Sequence, residues 1–381
     1  MRLPIYSHDA PDNLPDDGNR GLWYNRFFNR YDTDWKVSDT GKADWVKDNA
    51  KLTGNRDQLE QMSLRHLALI TALGGRGAVF SVDWNFATGL GLAHPVENGL
   101  AWHHTLGVPY LAGSGVKGLV RAWIEVWDES LDDEIKDQLL NRWFGNQDQS
   151  GAFIFFDALP IAPVNLSADI MTPHMGKWYE KGGEIQNWQS EPEHIPADWH
   201  APVPVPFLIA KKPKLLFGIA PRHSEYAAEL NSVFDALKSA LEWLGAGAKT
   251  AVGYGVMQED LTAENRLHEA MVAIEQRRCA EIDAAQKESA RQAALKTMTP
   301  IEREIAELLN ARKDKSQTDI TYLIGLVKND RWYREDKLLA AQYLEREMKI
   351  QKGQWKPDSK AKKPERDREY QNTLLVMQWL G

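Results

Sequence analysis

Two glycine-rich segments of this chain carry cations where a phosphate could approach the backbone. The first, Gly113-Ser114-Gly115-Val116-Lys117-Gly118, has the spacing G-x-G-x-x-G. Glycines so spaced allow a tight turn and close backbone approach, and a helix starting there offers unpaired N–H groups to an anion. Lys117 and Arg121 stand four apart, so both fall on one side of that helix start. A dinucleotide site would also need a regular β-α-β-α alternation and an acid about 20 residues on. No such alternation follows, and Asp128 comes too early. What transfers is a phosphate contact, set against a plain tight turn bearing two solvated cations.

The second segment runs Gly245-Ala246-Gly247-Ala248-Lys249-Thr250 and on to Gly253-Tyr254-Gly255. It is not a Walker loop, because Ala248 stands where a glycine must precede the lysine and a helix rather than a strand leads into it. Lys249 and Tyr254, a cation and a ring beside backbone N–H groups, suit single-stranded RNA. The competing reading is a helix cap followed by a flexible approach to a strand.

Histidines offer the other chemistry. His94, His103 and His104 precede the first glycine segment, and His174 follows Asp169-Ile170-Met171-Thr172-Pro173. Imidazole titrates near neutral pH and could serve acid/base cleavage of RNA. Loop histidines more often make structural hydrogen bonds, and Asp157 reads as a turn residue before it reads as a base. No spacing resembles a zinc or di-metal signature, and no cofactor is expected. Cys279 is the one cysteine, which excludes an internal disulfide and a Cys-x-x-Cys site.

Composition narrows the setting. Of the 381 residues, 43% are hydrophobic and 26% charged, as in a globular chain with a real core. No apolar run approaches the roughly 18 residues of a membrane span, and the opening residues lack an apolar stretch of signal-peptide length. A cytoplasmic protein without membrane contact is expected. The net charge is −8, which does not suit a solitary nucleic-acid binder. Residues 261–381 hold 23 Lys+Arg against 20 Asp+Glu, leaving 23 against 34 for residues 1–260. Contact with RNA in the acidic part must therefore be local, as in a subunit of an assembly.

The elements that would position these groups follow from periodicity. A strand is expected within residues 78–86, then a long glycine-dotted loop, then a helix over Val116–Trp127 capped by Ser114. Strands follow at 152–156, 205–209 and 214–219. A helix covers Tyr226 to Leu244 and stops at Gly245, and a last strand covers Ala251–Met257. The order is β-α-β-β-α-β, which predicts a ferredoxin-like (RRM-like) α+β domain over residues 75–260 with long insertions. Residues 1–74 read as an extension that wraps or docks. Residues 261–381 read as an all-helical domain, with a helix start at Thr299-Pro300-Ile301-Glu302 and a charged linker over 356–368. Trp178, Trp188 and Trp199 lie in the insertion before residue 205, where exposed aromatics suit subunit interfaces or base stacking.

The segment Thr88-Gly89-Leu90-Gly91, His94-Pro95, Trp102-His103 and Gly107 to Gly118 resembles the RAMP proteins of CRISPR systems. Asp169 to His174, Tyr179 and the run Leu244 to Gly255 narrow the likeness to the sixth-subunit group of type III-B (Cmr) effector complexes. Ala112 and Gly115 depart from that family's proline and second serine. The helical region after residue 260 is longer than the family leads one to expect.

The resemblance covers about residues 75–260. It implies a non-catalytic RNA-binding structural subunit of an antiviral ribonucleoprotein, capping its backbone near the 3′ end of the guide RNA. Implied partners are guide and target RNA, a backbone RAMP subunit, a small helical subunit and a neighbouring RAMP cap subunit. The expected RNA-binding set is Ser114, Lys117, Arg121, Gly245, Gly247, Lys249, Thr250 and Tyr254, with Tyr254 stacking and the two loops bordering one groove. Two other readings stand beside it. One is a RAMP-type endoribonuclease using a histidine to process guide precursors. The other is a scaffold that contacts only protein.

Overall fold

The apolar runs at residues 76–82 and 214–221 become strands buried on both faces, in a computed structural model that describes residues 11, 13–130, 132–312, 315–359 and 363–381. By its contacts the chain divides into Met1–Glu275 and Gln276–Gly381. The first unit opens with α1 (Arg20–Arg26), α2 (Asp39–Asn49), β1 (Leu52–Thr53) and α3 (Arg56–Ala72). Next come β2 (Arg76–Val82), β3 (Asn85–Phe86), α4 (Gly113–Ala122) and α5 (Asp133–Phe144). Then follow β4 (Phe153–Phe155), β5 (Leu159–Pro160), β6 (Val164–Met171) and α6 (Gly176–Lys181). The unit is completed by β7 (Val205–Lys211), β8 (Lys214–Pro221), α7 (Leu230–Trp243), β9 (Met257–Glu259) and the beginning of α8 (Leu261–Thr297).

One antiparallel sheet has the order β4-β8-β2-β9, with β5 also on β8. Val79 faces Leu216 and Val82 faces Met257 across its ladders. Strands covered on both faces need apolar side chains at every position. On one face Phe80 meets Phe217 edge-on, near Phe234 of α7. On the other, Val79 and Leu216 cluster with Leu64 and Leu67 of α3 and Leu267 of α8. The helix α7 buries Val233, Phe234, Leu237 and Leu241, the single stripe its periodicity predicts.

A second sheet, β1-β6-β7-β3, departs from expectation. The strands read at 205–209 and 214–219 belong to different sheets, because the hairpin between β7 and β8 turns from one into the other. In β6 the residues alternate apolar and polar, but the burial changes face midway: Val164 and Leu166 are buried, whereas Ala168 and Ile170 are exposed and Ser167 and Asp169 half-buried. The last strand also shifts. Residues 250–252 form a short 3-10 turn, and pairing begins only at Met257.

Two helix details differ as well. The capping position of α4 is Ala112 with no side-chain bond, so Ser114 lies inside the first turn and caps nothing. After Ala122 the helix widens into a π turn over Trp123–Trp127. The extension expected over residues 1–74 contributes described side chains to the main core. Trp23, Tyr24, Phe28 and Trp45 share one buried cluster with Phe80, Val116 and Phe217.

In the second unit, α9 (Pro300–Ala311), α10 (Asp319–Lys328), α11 (Arg334–Ile350) and α12 (Arg368–Leu380) enclose Ile305, Ile324, Leu344, Met348 and Val376. Thr299 and Glu302 form the capping box that starts α9, with Pro300 in its first turn. The sequence boundary at residue 260 moves to Glu275 because the start of α8 packs on α3 and the sheet. Residues 360–362 of the charged stretch 356–368 lie outside the described residues, as do residues 1–10 at the start. Among the described residues no helix is long and apolar enough to cross a membrane.

Candidate nucleic-acid interface

The glycine segment after α7 is closed against the loop that follows β2. Ala248 N–H donates to the Ala87 carbonyl at 2.7 Å, Gly255 N–H to Asn85 at 2.8 Å and Ala246 N–H to Gly255 at 2.9 Å. Gly247 holds φ +95°, and a Cβ there would fall on the Ala87 carbonyl oxygen. These N–H groups are therefore spent on the fold. What the segment leaves at the surface is Lys249, half-exposed in left-handed backbone at φ +61°. Its ammonium sits 5.4 Å from the Phe207 ring centroid and makes no ion pair among the described residues. Thr250 beside it opens the 3-10 turn and is half-exposed.

Tyr254 corrects an expectation. It is 4% exposed, packed with Ala87, Phe207 and Ile209, and its hydroxyl donates to Asp169 Oδ2. Burial first, and then the Asp169 hydrogen bond, push its pKa above the usual phenol value. A ring held in this way cannot stack a base. The exposed ring is Trp84, 53% accessible and edge-on to Tyr254 at 5.1 Å. Sequence reasoning passed over Trp84 as part of a strand. Its signal was an aromatic between the polar neighbours Asp83 and Asn85 just past a buried run.

Trp84 is joined to the tip of the β7–β8 hairpin, where Lys212 N–H donates to the Trp84 carbonyl at 2.8 Å. Lys211 and Lys212 are exposed there, while Lys214 is tied to Asp260 at 2.6 Å. The Lys214 ammonium first, then the Ala263 N–H and the Ser81 hydroxyl, hold the Asp260 carboxyl down to about 2. Lys249, Phe207, Asp169, Tyr254, Trp84 and Lys212 thus form one chain of contacts. Its surface offers two free cations and an indole face. That combination matches a single strand, with phosphates on the ammoniums and a base on the ring.

The start of α4 is built differently. Gly113 presses on the Phe155 carbonyl, where a Cβ would not fit, and its N–H donates to Asp157 Oδ1 at 2.6 Å. Asp157 is therefore an internal anion at the positive end of the helix, which weakens that end as a phosphate site. Ser114 is exposed, Lys117 is half-exposed with no ion pair among the described residues, and Arg121 pairs with Glu125 at 3.3 Å. The start of α4 rests on β4, and the second segment is bonded to Asn85 and Ala87. No hydrogen bond or ion pair among the described residues joins them.

The histidines are engaged by backbone. His94 Nε2 contacts the Tyr24 carbonyl at 2.9 Å, its Nδ1 accepts from Val96 N–H at 3.2 Å, and the ring stacks on Tyr24. His103 Nδ1 accepts from Leu106 N–H at 3.3 Å, and His174 Nδ1 lies 3.3 Å from the Thr172 carbonyl. His104 serves through its carbonyl, which accepts from Asn19 Nδ2 at 2.8 Å. His66, unremarked in the sequence, meets the Asp157 carbonyl at 3.1 Å. Burial lowers the pKa of His66, His94 and His103 below the usual imidazole value. Among the described residues no three His, Cys, Asp or Glu side chains converge as a metal cluster.

Comparison with known proteins finds relatives over parts of the chain. A Cmr subunit Cmr6 of Pyrococcus furiosus is 38% identical over 130 residues, covering 32% of this chain and 35% of that protein. A Cmr6 subunit of Saccharolobus solfataricus is 26% identical over 164 residues, covering 42% of this chain and 49% of that protein. The matches thus span half or less of each relative's length. A chain in the cryo-EM structure of a type III-B Cmr-beta complex bound to cognate target RNA aligns with a TM-score of 0.42. The identity there is 21%, over 57% of this chain and 69% of that one. The profile of the RAMP superfamily matches residues 40–258, from α2 to β9 and more than half of the sequence. The chain belongs to the RAMP superfamily.

Proposed function

We propose that this chain is a structural, RNA-contacting subunit of a type III-B CRISPR effector ribonucleoprotein acting in the cytoplasm. It caps the backbone of the complex near the 3′ end of the guide RNA and leaves cleavage to another subunit. Its partners are guide and target RNA, the backbone RAMP subunit, the small helical subunit and a neighbouring RAMP cap subunit. Kinship with Cmr6 proteins supports the assembly. The order β4-β8-β2-β9, with α4 and α7 packed together, supports a ferredoxin-like reading of residues 75–260.

The observation that carries the RNA contact is the exposed Trp84 beside Lys212 and Lys249, cations with no ion pair among the described residues. An acidic chain with one local basic strip suits binding inside an assembly, where neighbours supply the remaining charge. Histidines engaged by main-chain groups support the non-catalytic part. Affinity purification of the tagged chain, with sequencing of the RNA crosslinked to it, tests the proposal. Guide RNA crosslinked at Trp84 or Lys249 within a multi-subunit complex is the expected result. Recovery of the chain alone, or RNA cleavage by the purified chain, contradicts it.

A further inference from the structure

Over its second half, β6 is paired on one side only. Its β7 side is bonded throughout, from Asn165 opposite Lys211 to Met171 opposite Val205. On the other side β1 reaches only Val164 and Asn165, after which the Lys51 carbonyl accepts from Leu166 N–H at 3.2 Å. No described strand continues along Ser167–Met171. Backbone groups alternate sides along a strand. Leu166 turns its N–H toward β1, so Ala168 and Ile170 turn theirs, with their carbonyls, to that same open side. Pro206, opposite Ile170, has no N–H to offer, which agrees with that direction. Two of these four groups are held locally, the Ile170 N–H by Asp169 Oδ1 at 2.8 Å and the Ala168 carbonyl by the Ser167 hydroxyl at 3.4 Å. The Ala168 N–H and the Ile170 carbonyl make no bond to another segment among the described residues.

Such an edge is a template for pairing, and proteins blunt theirs with lysine, proline or a bulge. Leu166 to Met171 contains none of these. The face beside the edge is also unfinished. Val164 and Leu166 are buried in the core with Trp45 of α2, whereas Ile170 on the same face is 59% exposed. Residues 172–204 leave the end of β6 and return to β7, joined by Val203 N–H on the Pro173 carbonyl at 2.9 Å. They carry Glu180, Glu184, Glu191, Glu193 and Asp198 against Lys177 and Lys181, and Lys177 is already paired with Glu193 at 3.1 Å. Tyr179, Trp188 and Trp199 there are each 60% exposed or more. Rings alone suit a base or a protein. The excess of acids repels phosphates and attracts ammonium and guanidinium groups, which also sit favourably over aromatic faces.

We propose that the open edge of β6 binds an extended, lysine- or arginine-bearing segment of another protein, added to the sheet in line with β1. The main chain of that segment takes the Ala168 N–H and the Ile170 carbonyl. An apolar side chain covers Ile170, and the cations face the acidic, aromatic insertion. The inference does not rest on the RNA-contact reading.

Hydrogen–deuterium exchange at single amides tests it, on the isolated full chain and on the complex recovered with it. The Ala168 amide should exchange at least about tenfold more slowly in the complex. A carbodiimide, which joins carboxylates to amines, should link residues 180–198 to lysines of a partner protein. Ala168→Pro removes only the outward N–H, so it should spare the β7 ladder and cut recovery of the linked protein at least about fivefold. Ile170→Lys, which sets a cation against the incoming ones, gives the same readout if the proline variant does not fold. Equal exchange in the two samples, or recovery of the chain without a partner, overturns the proposal. So do carbodiimide links only to a second copy of this chain, or none at all, and undiminished recovery of the linked protein with the folded variants. Slowing of the Ala168 amide in the isolated chain by a single-stranded oligouridylate would assign the edge to RNA and overturn it as well.

Discussion

Replacing a glycine by alanine should act with opposite sign in the two glycine segments. At Gly247 the backbone holds φ +95°, and a side chain carbon would overlap the Ala87 carbonyl. Holding an L-residue in left-handed backbone costs about 1–2 kcal/mol. Relieving the overlap pushes apart the Ala248 N–H and the Ala87 oxygen, now 2.7 Å apart, and so loses a hydrogen bond. Such a bond contributes about 0.5–1.5 kcal/mol. Gly247→Ala should therefore destabilise the first unit by roughly 1.5–3.5 kcal/mol, lowering its thermal midpoint by about 3–14 °C. Gly118 sits within α4 with open space around it, so alanine there should stabilise by about 0.5–1 kcal/mol. Calorimetry of the full chain measures both. Equal effects, or a Gly247→Ala loss below about 1 kcal/mol, would refute the view that this loop is closed onto Ala87.

Other consequences can be checked in the same way. Tyr254→Phe should cost about 0.5–1.5 kcal/mol of stability yet leave guide-RNA retention within twofold. Trp84→Ala should do the reverse, weakening retention at least about fivefold if a base stacks on it. The Asp260 carboxyl is held at about 2 against an ordinary 3.8, so the stability it contributes is present above pH 3.8 and lost as pH falls toward 2. Urea unfolding of Asp260→Asn should show lower stability near neutrality and a flatter acid limb than wild type. With their ring nitrogens on backbone groups, His94→Ala, His103→Ala and His174→Ala should leave target cleavage by the assembled complex within a few-fold of wild type. A loss near a thousandfold with assembly intact would mark a catalytic group.

Much of this was legible in the sequence where one physical cause dominates. The stripe of α7 and the capping box at Thr299 follow from local rules that packing reinforces. The second sheet was legible but passed over, since Val164, Leu166, Ala168 and Ile170 alternate with Asn165, Ser167 and Asp169 along β6. The aromatic roles were exchanged. Glycines on both sides of Tyr254 suggest an open loop, but Gly255 crosses closely over the Ala246 carbonyl while Gly253 only turns the chain at φ +89°, and the ring is buried with Trp84 left outside. Arg121 was counted as a free cation although Glu125 stands at i+4, a pairing the helix spacing itself predicts.

The most direct test of RNA contact is the salt dependence of guide-RNA retention by the assembled complex carrying Lys212→Glu and Lys249→Glu together. Both lysines are free of ion pairs among the described residues, so folding should change little, as exposed charges contribute at most about 1 kcal/mol. If each neutralises a phosphate, retention should weaken at least about tenfold at physiological salt, roughly 1.4 kcal/mol. The slope of log affinity against log salt should also become shallower by about one to two. Unchanged affinity with an unchanged slope would contradict the account, leaving the chain a scaffold that touches only protein.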